Sequence, residues 1–384
     1  MSPNLPKTYR AAFVVEKGKP LEIRDASRPP LVEYKSPKSG HIVVKVLASG
    51  VCHSDSIVVD QVMPTGLPRV PGHEIVGDVV EVPEDEKRWK VGDRVGSGWH
   101  GGHCDRGDFV TCDNENINGI ITDGGHAEYV TLRTEAVCSI PRDIDPAKAA
   151  PLLCVLFVYY TSFELRSADA HVTFVYSTLS RLAFVSLAIL YLSANSCAGM
   201  TTFNSIRNMD VHPGDVVAIQ GLGGLGHLGI QFANRMGFKT VAVSRGPEKK
   251  DFATKLGAHV YIDSNAEDPA EALQKLGGAK VIAAVAPSGK AMEQLIGGLA
   301  VNGQLLTLAV ADKLEVPIMT LIQKRASIRG WPSGSAADSE DTVKFAQMSG
   351  VECMVEEYPL DKVNEAFNSM MEGKARFRSV LVFK

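Results

Sequence analysis

The sequence predicts an α/β protein built from two unlike units, and three observations carry the prediction. From residue 213 to about 325, apolar runs alternate with helix-like segments, the pattern of a parallel sheet with crossover helices. The first of these runs, Val216-Val217-Ala218-Ile219-Gln220, stops at Gly221-Leu222-Gly223-Gly224-Leu225-Gly226. By contrast, short β stretches separated by Pro, Gly and Lys turns dominate the first 140 residues.

The glycine cluster is the most informative element. Gly221, Gly223 and Gly226 fit G-x-G-x-x-G after a strand and before a helix-like stretch, His227 to Met236. The first glycine permits a tight turn, the second lets backbone approach a pyrophosphate, and the third lets helix pack on strand. Unpaired N–H groups at the helix start favour phosphate. A doubly wound Rossmann sheet is therefore expected, with runs at 215–220, 240–243, 259–262, 281–285 and 303–309. After the second run, NAD-binding units place an acidic residue to hold the ribose 2′-hydroxyl. Here Ser244 stands there, followed by Arg245 and Lys249. A neutral side chain with cations behind it suits a 2′-phosphate, so NADP(H) is favoured over NAD(H).

In the first unit the chemistry-bearing residues are Cys52-His53-Ser54-Asp55 and, about twenty residues on, Gly72-His73-Glu74. A thiolate, an imidazole and one further thiolate suit tetrahedral zinc with an open fourth position. Gly50 to Asp55, Pro71 to Glu74, Val91-Gly92-Asp93-Arg94-Val95 and Gly221 to Gly226 together resemble the zinc-containing alcohol dehydrogenases of the medium-chain dehydrogenase/reductase superfamily. The resemblance runs from about residue 8 onward, except for 155–197.

That resemblance implies a GroES-like catalytic domain, 1–153 with 326–384, and a dinucleotide-binding Rossmann domain, 198–325. It implies that Cys52 and His73 are zinc ligands, with Glu74 able to approach the metal. Ser54 would take the substrate hydroxyl proton, Asp55 would orient the ligand imidazole, His53 would lie near the pyrophosphate and Thr201 near the nicotinamide. The third ligand is Cys154 or Cys197. The implied reaction passes hydride between NADP(H) or NAD(H) and an alcohol or carbonyl compound. Ser56-Ile57-Val58 lacks the histidine that relatives place there, so ribose hydroxyls and water are the expected proton exit. A zinc-free quinone or enoyl reductase and an inactive binding protein are the alternatives. Homo-oligomerisation through the edge strand of the cofactor sheet is also implied.

Two departures stand out. Relatives often carry four closely spaced cysteines for a structural zinc; the loop from Gly98 to Cys112 has only Cys104 and Cys112, with His100 and His103 nearby. A closed four-ligand site is therefore not expected. Residues 155–197 contain no Gly, Pro or Lys, although the chain has 35 Gly and 20 Pro. Without them Leu152-Leu153-Cys154 runs into Ala198-Gly199-Met200 in register, and the simplest reading is translated intron sequence. The rival is a membrane segment, but its apolar stretch from Leu182 to Ala194 falls short of the roughly 20 residues that span a bilayer.

Net charge is −4 and charged residues make up 22% of the chain, so nothing in the charge balance points to a polyanion partner such as nucleic acid. Met1 to Arg10 is polar, without the apolar core of a secretory signal. The expected location is the cytosol, where seven cysteines are more readily ligands or buried thiols than disulfides.

Overall fold

The computed structural model describes residues 5–24, 32–33, 36–63, 65–102, 116–153, 199–309, 311 and 313–384. Cys104, Cys112, His103, Cys154, Cys197 and the whole of 155–197 lie outside the described residues.

The alternating apolar runs form a six-stranded, fully parallel sheet. Val216–Gln220 and Ala279–Ala284 lie side by side at its centre. Lys239–Ser244 and then Val260–Asp263 extend the sheet on one side, Leu299–Thr307 and Ser327–Gly330 on the other. In chain order this is 3-2-1-4-5-6, the doubly wound arrangement that leaves a ligand crevice where the order reverses. That point lies between Gln220 and Ala284, which are paired in register. All five residues of Val216–Gln220 are buried, as befits a strand covered on both faces.

Ser327–Gly330 corrects the sequence reading, in which 326–330 led back into the first unit. It pairs with Leu299–Thr307 and is the edge of the parallel sheet. The strand is mostly exposed, so it lacks the apolar run that marks the inner strands.

The first unit centres on a seven-stranded sheet whose long middle strand is His41–Val51. Glu74–Glu81 and Tyr129–Arg133 pair with it in antiparallel fashion, and Arg378–Val382 does so near its C-terminal end. The registers Val51↔Ser379 and Gly50↔Glu74 set three strands abreast. Cys52, Glu74 and Arg378 thus arrive at one end of the sheet, although Glu74 and Arg378 are 304 residues apart in sequence.

Asp145 caps a helix that opens with Pro146 at its first position: the Asp145 side chain accepts from the Ala147 amide at 2.9 Å. The helix Pro146–Ala149 leads into a 3₁₀ turn at Ala150–Leu153, and the next described helix is Gly199–Arg207. These flanks meet, since a Cβ on Gly199 would fall 2.4 Å from Leu152 Cα. Phe203 of the later helix packs on Phe232 and Phe345, at ring distances of 5.3 and 4.9 Å. The two units therefore share a core containing Leu152, Leu153, Phe203, Leu228, Phe232 and Val380.

Candidate active site

Local backbone chemistry builds the metal end. The strand His41–Val51 runs out at Cys52, which caps a short 3₁₀ turn, His53–Asp55. Cys52 Sγ accepts from the Ser54 amide at 3.4 Å, and Asp55 Oδ2 accepts from the Cys52 amide at 2.9 Å. This reciprocal cap fixes the thiol and the carboxylate relative to each other. Opposite, Gly72 takes φ +101°, open to a residue without Cβ, and delivers His73 and Glu74. Gly50, paired with Glu74, must also be glycine, because a Cβ there would lie 1.8 Å from Glu74 Oε2.

Cys52, His73 and Glu74 are wholly buried, and each offers a donor atom within 4.8 Å of the other two. Thiol, imidazole and carboxylate at one point are a donor set for a divalent transition ion, and zinc fits it. Asp55 lies behind His73, with Oδ1 3.2 Å from His73 Nδ1. Burial alone would raise the Asp55 pKa, but His73 and His126 outweigh it and hold the carboxyl well below its usual range. Trp99 meets the His73 ring edge-on at 5.0 Å. Ser54 is buried beside Cys52.

The glycine turn supplies the second half. Gly221 has φ +103°, and a Cβ on it would crowd Ala286. A Cβ on Gly226 would fall 1.9 Å from Gly221 O, so helix and strand touch there. Gly223 is different: a Cβ on it would meet nothing within 4 Å. Its missing side chain leaves space inside a cavity of about 680 Å³, the cradle a pyrophosphate needs. The helix Gly226–Arg235 starts at this wall.

Gly221 to Gly226, His53, Ser244, Arg245 and Lys249 all line that one cavity. Lys290, Arg376 and Arg378 also line it, and among the described residues of its wall there is no carboxylate. Asp263 sits beside Ser244 in register and is engaged by the amides of Gly246 and Asn265, at 2.8 and 3.0 Å. Burial pushes His53 below its ordinary pKa; Cys52 opposes this, Arg378 reinforces it and Asp55 opposes it. Thr201 is fully buried on Gly199–Arg207 and is not part of the cavity wall.

Sequence reasoning missed the residue that joins the halves. Arg378 Nη2 pairs with Glu74 Oε1, with both side chains almost fully buried. Its stem lies 3.4 Å from where a Gly224 Cβ would be. The only local signal was a cation in the apolar closing strand Arg378-Ser379-Val380-Leu381-Val382. His126, which faces Asp55 from the side away from His73, was missed too. The structure places neither candidate third ligand, Cys154 nor Cys197, among its described residues.

Residues 38–142 match the alcohol dehydrogenase GroES-like domain, and residues 224–348 match the zinc-binding dehydrogenase family. The chain is 45% identical to alcohol dehydrogenase patD of Penicillium expansum, over 99% of each chain. It is 33% identical to an alcohol dehydrogenase of Geobacillus stearothermophilus, over 98% of this chain and 99% of the relative. Its fold matches a Helicobacter pylori CAD complexed with NADP(H), at TM-score 0.75 and 20% identity, over 98% of this chain and 99% of that one. With Cys52, His73 and Glu74 inside the first match, Gly224 and Gly226 inside the second, and a relative 45% identical over nearly the whole chain, the chain belongs to the zinc-type alcohol dehydrogenases of the medium-chain dehydrogenase/reductase superfamily.

Proposed function

We propose that this enzyme is a zinc-dependent, NADP(H)-linked alcohol dehydrogenase whose favoured direction is reduction of an aldehyde or ketone. The observation that carries the reading is the meeting of a thiol–imidazole–carboxylate cluster with a cation-lined dinucleotide cavity through one buried arginine. Zinc, when bound, supplies a Lewis acid for the substrate oxygen. Cys52 and His73 would hold it, with Cys154 or Cys197 as third ligand and Glu74 as the carboxylate that can approach it.

The chain's own residues do the rest. Ser54 passes the hydroxyl proton, and Asp55 fixes the His73 ring. The glycine turn and the start of its helix hold the pyrophosphate, and Thr201, buried outside the wall of that cavity, would neighbour the nicotinamide as in the family. Arg378 balances the Glu74 charge on one side and faces the phosphates on the other. Arg245 and Lys249 receive the 2′-phosphate that Ser244, having no charge, does not repel.

Hydride-transfer kinetics with an aldehyde panel test the cofactor choice. NADPH is expected to give a kcat/KM about tenfold or more above NADH, one charge-assisted phosphate contact being worth on the order of 1.5–3 kcal/mol. Ser244→Asp should remove that preference. NADH as the better donor for the unaltered enzyme refutes the NADP(H) assignment.

Two further readings follow the same logic. We propose that 155–197 is an insertion at the junction between a catalytic unit, comprising 1–153 and the chain beyond the sixth strand of the cofactor sheet, and the dinucleotide-binding unit that starts at 198. The contact of Gly199 with Leu152 supports this, because the flanks already meet. A chain lacking 155–197 should fold and retain hydride transfer, and loss of both would refute it. The edge strand Ser327–Gly330 and the exposed Ile318, Met319 and Ile322 on the helix Ile318–Lys324 support self-association. No helix among the described residues is long and apolar enough to cross a membrane.

A further inference from the structure

We infer that His126 is a positioning residue of the metal pocket: it holds the far side of Asp55 so that this carboxylate meets His73 in one orientation. The inference rests on the zinc reading above. Asp55 has two carboxylate oxygens and four neighbours. Oδ1 accepts from the Gly72 amide at 3.1 Å and faces His73 Nδ1 at 3.2 Å. Oδ2 accepts from the Cys52 amide at 2.9 Å and faces His126 Nε2 at 3.5 Å. Almost any sequence could supply the two amides. The two imidazoles need histidine, and they face the carboxylate at its two different oxygens.

His126 is itself fixed. Its amide donates to Pro71 O at 3.0 Å, and its carbonyl accepts from the Ala12 amide at 2.9 Å. Gly125 and Gly124 donate to Gly72 O and Val70 O, each at 2.8 Å. The loop 124–126 is thus laced to the segment that delivers His73. The ring lies against Gly72, where a Cβ would fall 2.4 Å from His126 Nδ1. The same nitrogen, Nδ1, is 2.9 Å from the Oγ of wholly buried Ser49. With the Ser49 hydroxyl donating to Nδ1, the ring carries its hydrogen on Nε2, pointed at Asp55. The order Ser49, His126, Asp55, His73 is therefore a buried chain ending on a metal-binding imidazole.

Its consequence is preorganisation. Without the Nε2–H dipole, Oδ2 keeps only the Cys52 amide, the carboxylate is held less tightly between its two amides, and the His73 ring loses part of its fixed orientation. Partners of this kind typically alter metal affinity 10–100-fold.

The test measures zinc release from the full-length enzyme to excess chromophoric chelator, together with kcat, KM and far-UV circular dichroism. His126→Phe keeps the ring volume but removes the donor; zinc release should be about tenfold faster, the lower end of that range. His126→Gln keeps an N–H that can reach Asp55 and should release zinc markedly more slowly than His126→Phe. A space-filling role predicts the reverse order, with Phe close to wild type and Gln worse, and that result overturns the inference. If His126→Phe does not fold, Ser49→Ala reports instead: faster release supports the chain and an unchanged rate overturns it. A wild-type enzyme carrying no zinc would refute the zinc reading itself. Zinc-bound wild type matched by His126→Phe refutes only the role of His126.

Discussion

The two halves of the site are built in opposite ways. The glycine turn is local: Gly221, Gly223 and Gly226 span six residues, and each does its work through the backbone it exposes. The candidate metal pocket is assembled from afar. Glu74 meets an arginine 304 residues later, and Asp55 is flanked by His73 and His126 from separate segments. A site made of backbone is sensitive to an added Cβ, whereas a site made of buried charges is sensitive to losing a partner.

The largest effect should come from breaking the charge pair. Arg378→Ala leaves the Glu74 carboxylate buried without its cation, a change that typically costs about 3–5 kcal/mol. A denaturant titration should show that loss, and hydride transfer should fall with it because the same side chain lines the cofactor cavity. An unchanged midpoint would mean that Glu74 is balanced by some other group.

Buried histidine gives a pH-dependent effect of intermediate size. His227, on the cofactor helix, is pushed down to about 4, chiefly by burial. It stacks on Phe377, with Nδ1 3.2 Å from Gly223 O. Its folded pKa is below its unfolded one, so the unfolded chain takes up the proton first as pH falls. Stability should be full above about pH 6.5 and decline toward pH 4, by about 3 kcal/mol in all. Chemical denaturation of wild type and His227→Phe at pH 7.5 and 5 checks this: the difference between the two should narrow or reverse at the lower pH. Parallel curves would contradict it.

The smallest stability change, and the sharpest comparison, lies within the turn. Gly226→Ala drives a methyl into Gly221 O and should cost about 1–3 kcal/mol of stability. Gly223→Ala points its methyl into open space, so stability should move by less than about 0.5 kcal/mol. Its effect should fall on the cofactor KM instead. Equal destabilisation by the two substitutions would show that the turn is structural throughout.

How far the sequence revealed this follows from the same division. Elements whose meaning is local were legible: the parallel runs, the glycine turn, Cys52 to Asp55, His73 and Glu74, and the Ser244-Arg245 strand end. What depended on strand register was not. Arg378 acquires a partner only because Val51 pairs with Ser379 and Gly50 with Glu74. His126 reads as an ordinary loop histidine until 124–126 is laid along 70–72. Ser327–Gly330 escaped because an exposed edge strand carries no apolar run.

The most direct measurement is the zinc content of the purified chain by native mass spectrometry, alongside hydride transfer on the same preparation. One zinc per chain is expected, lost together with activity in Cys52→Ala. Full activity in protein that holds no zinc would contradict the account and point to a zinc-free reductase of the same superfamily.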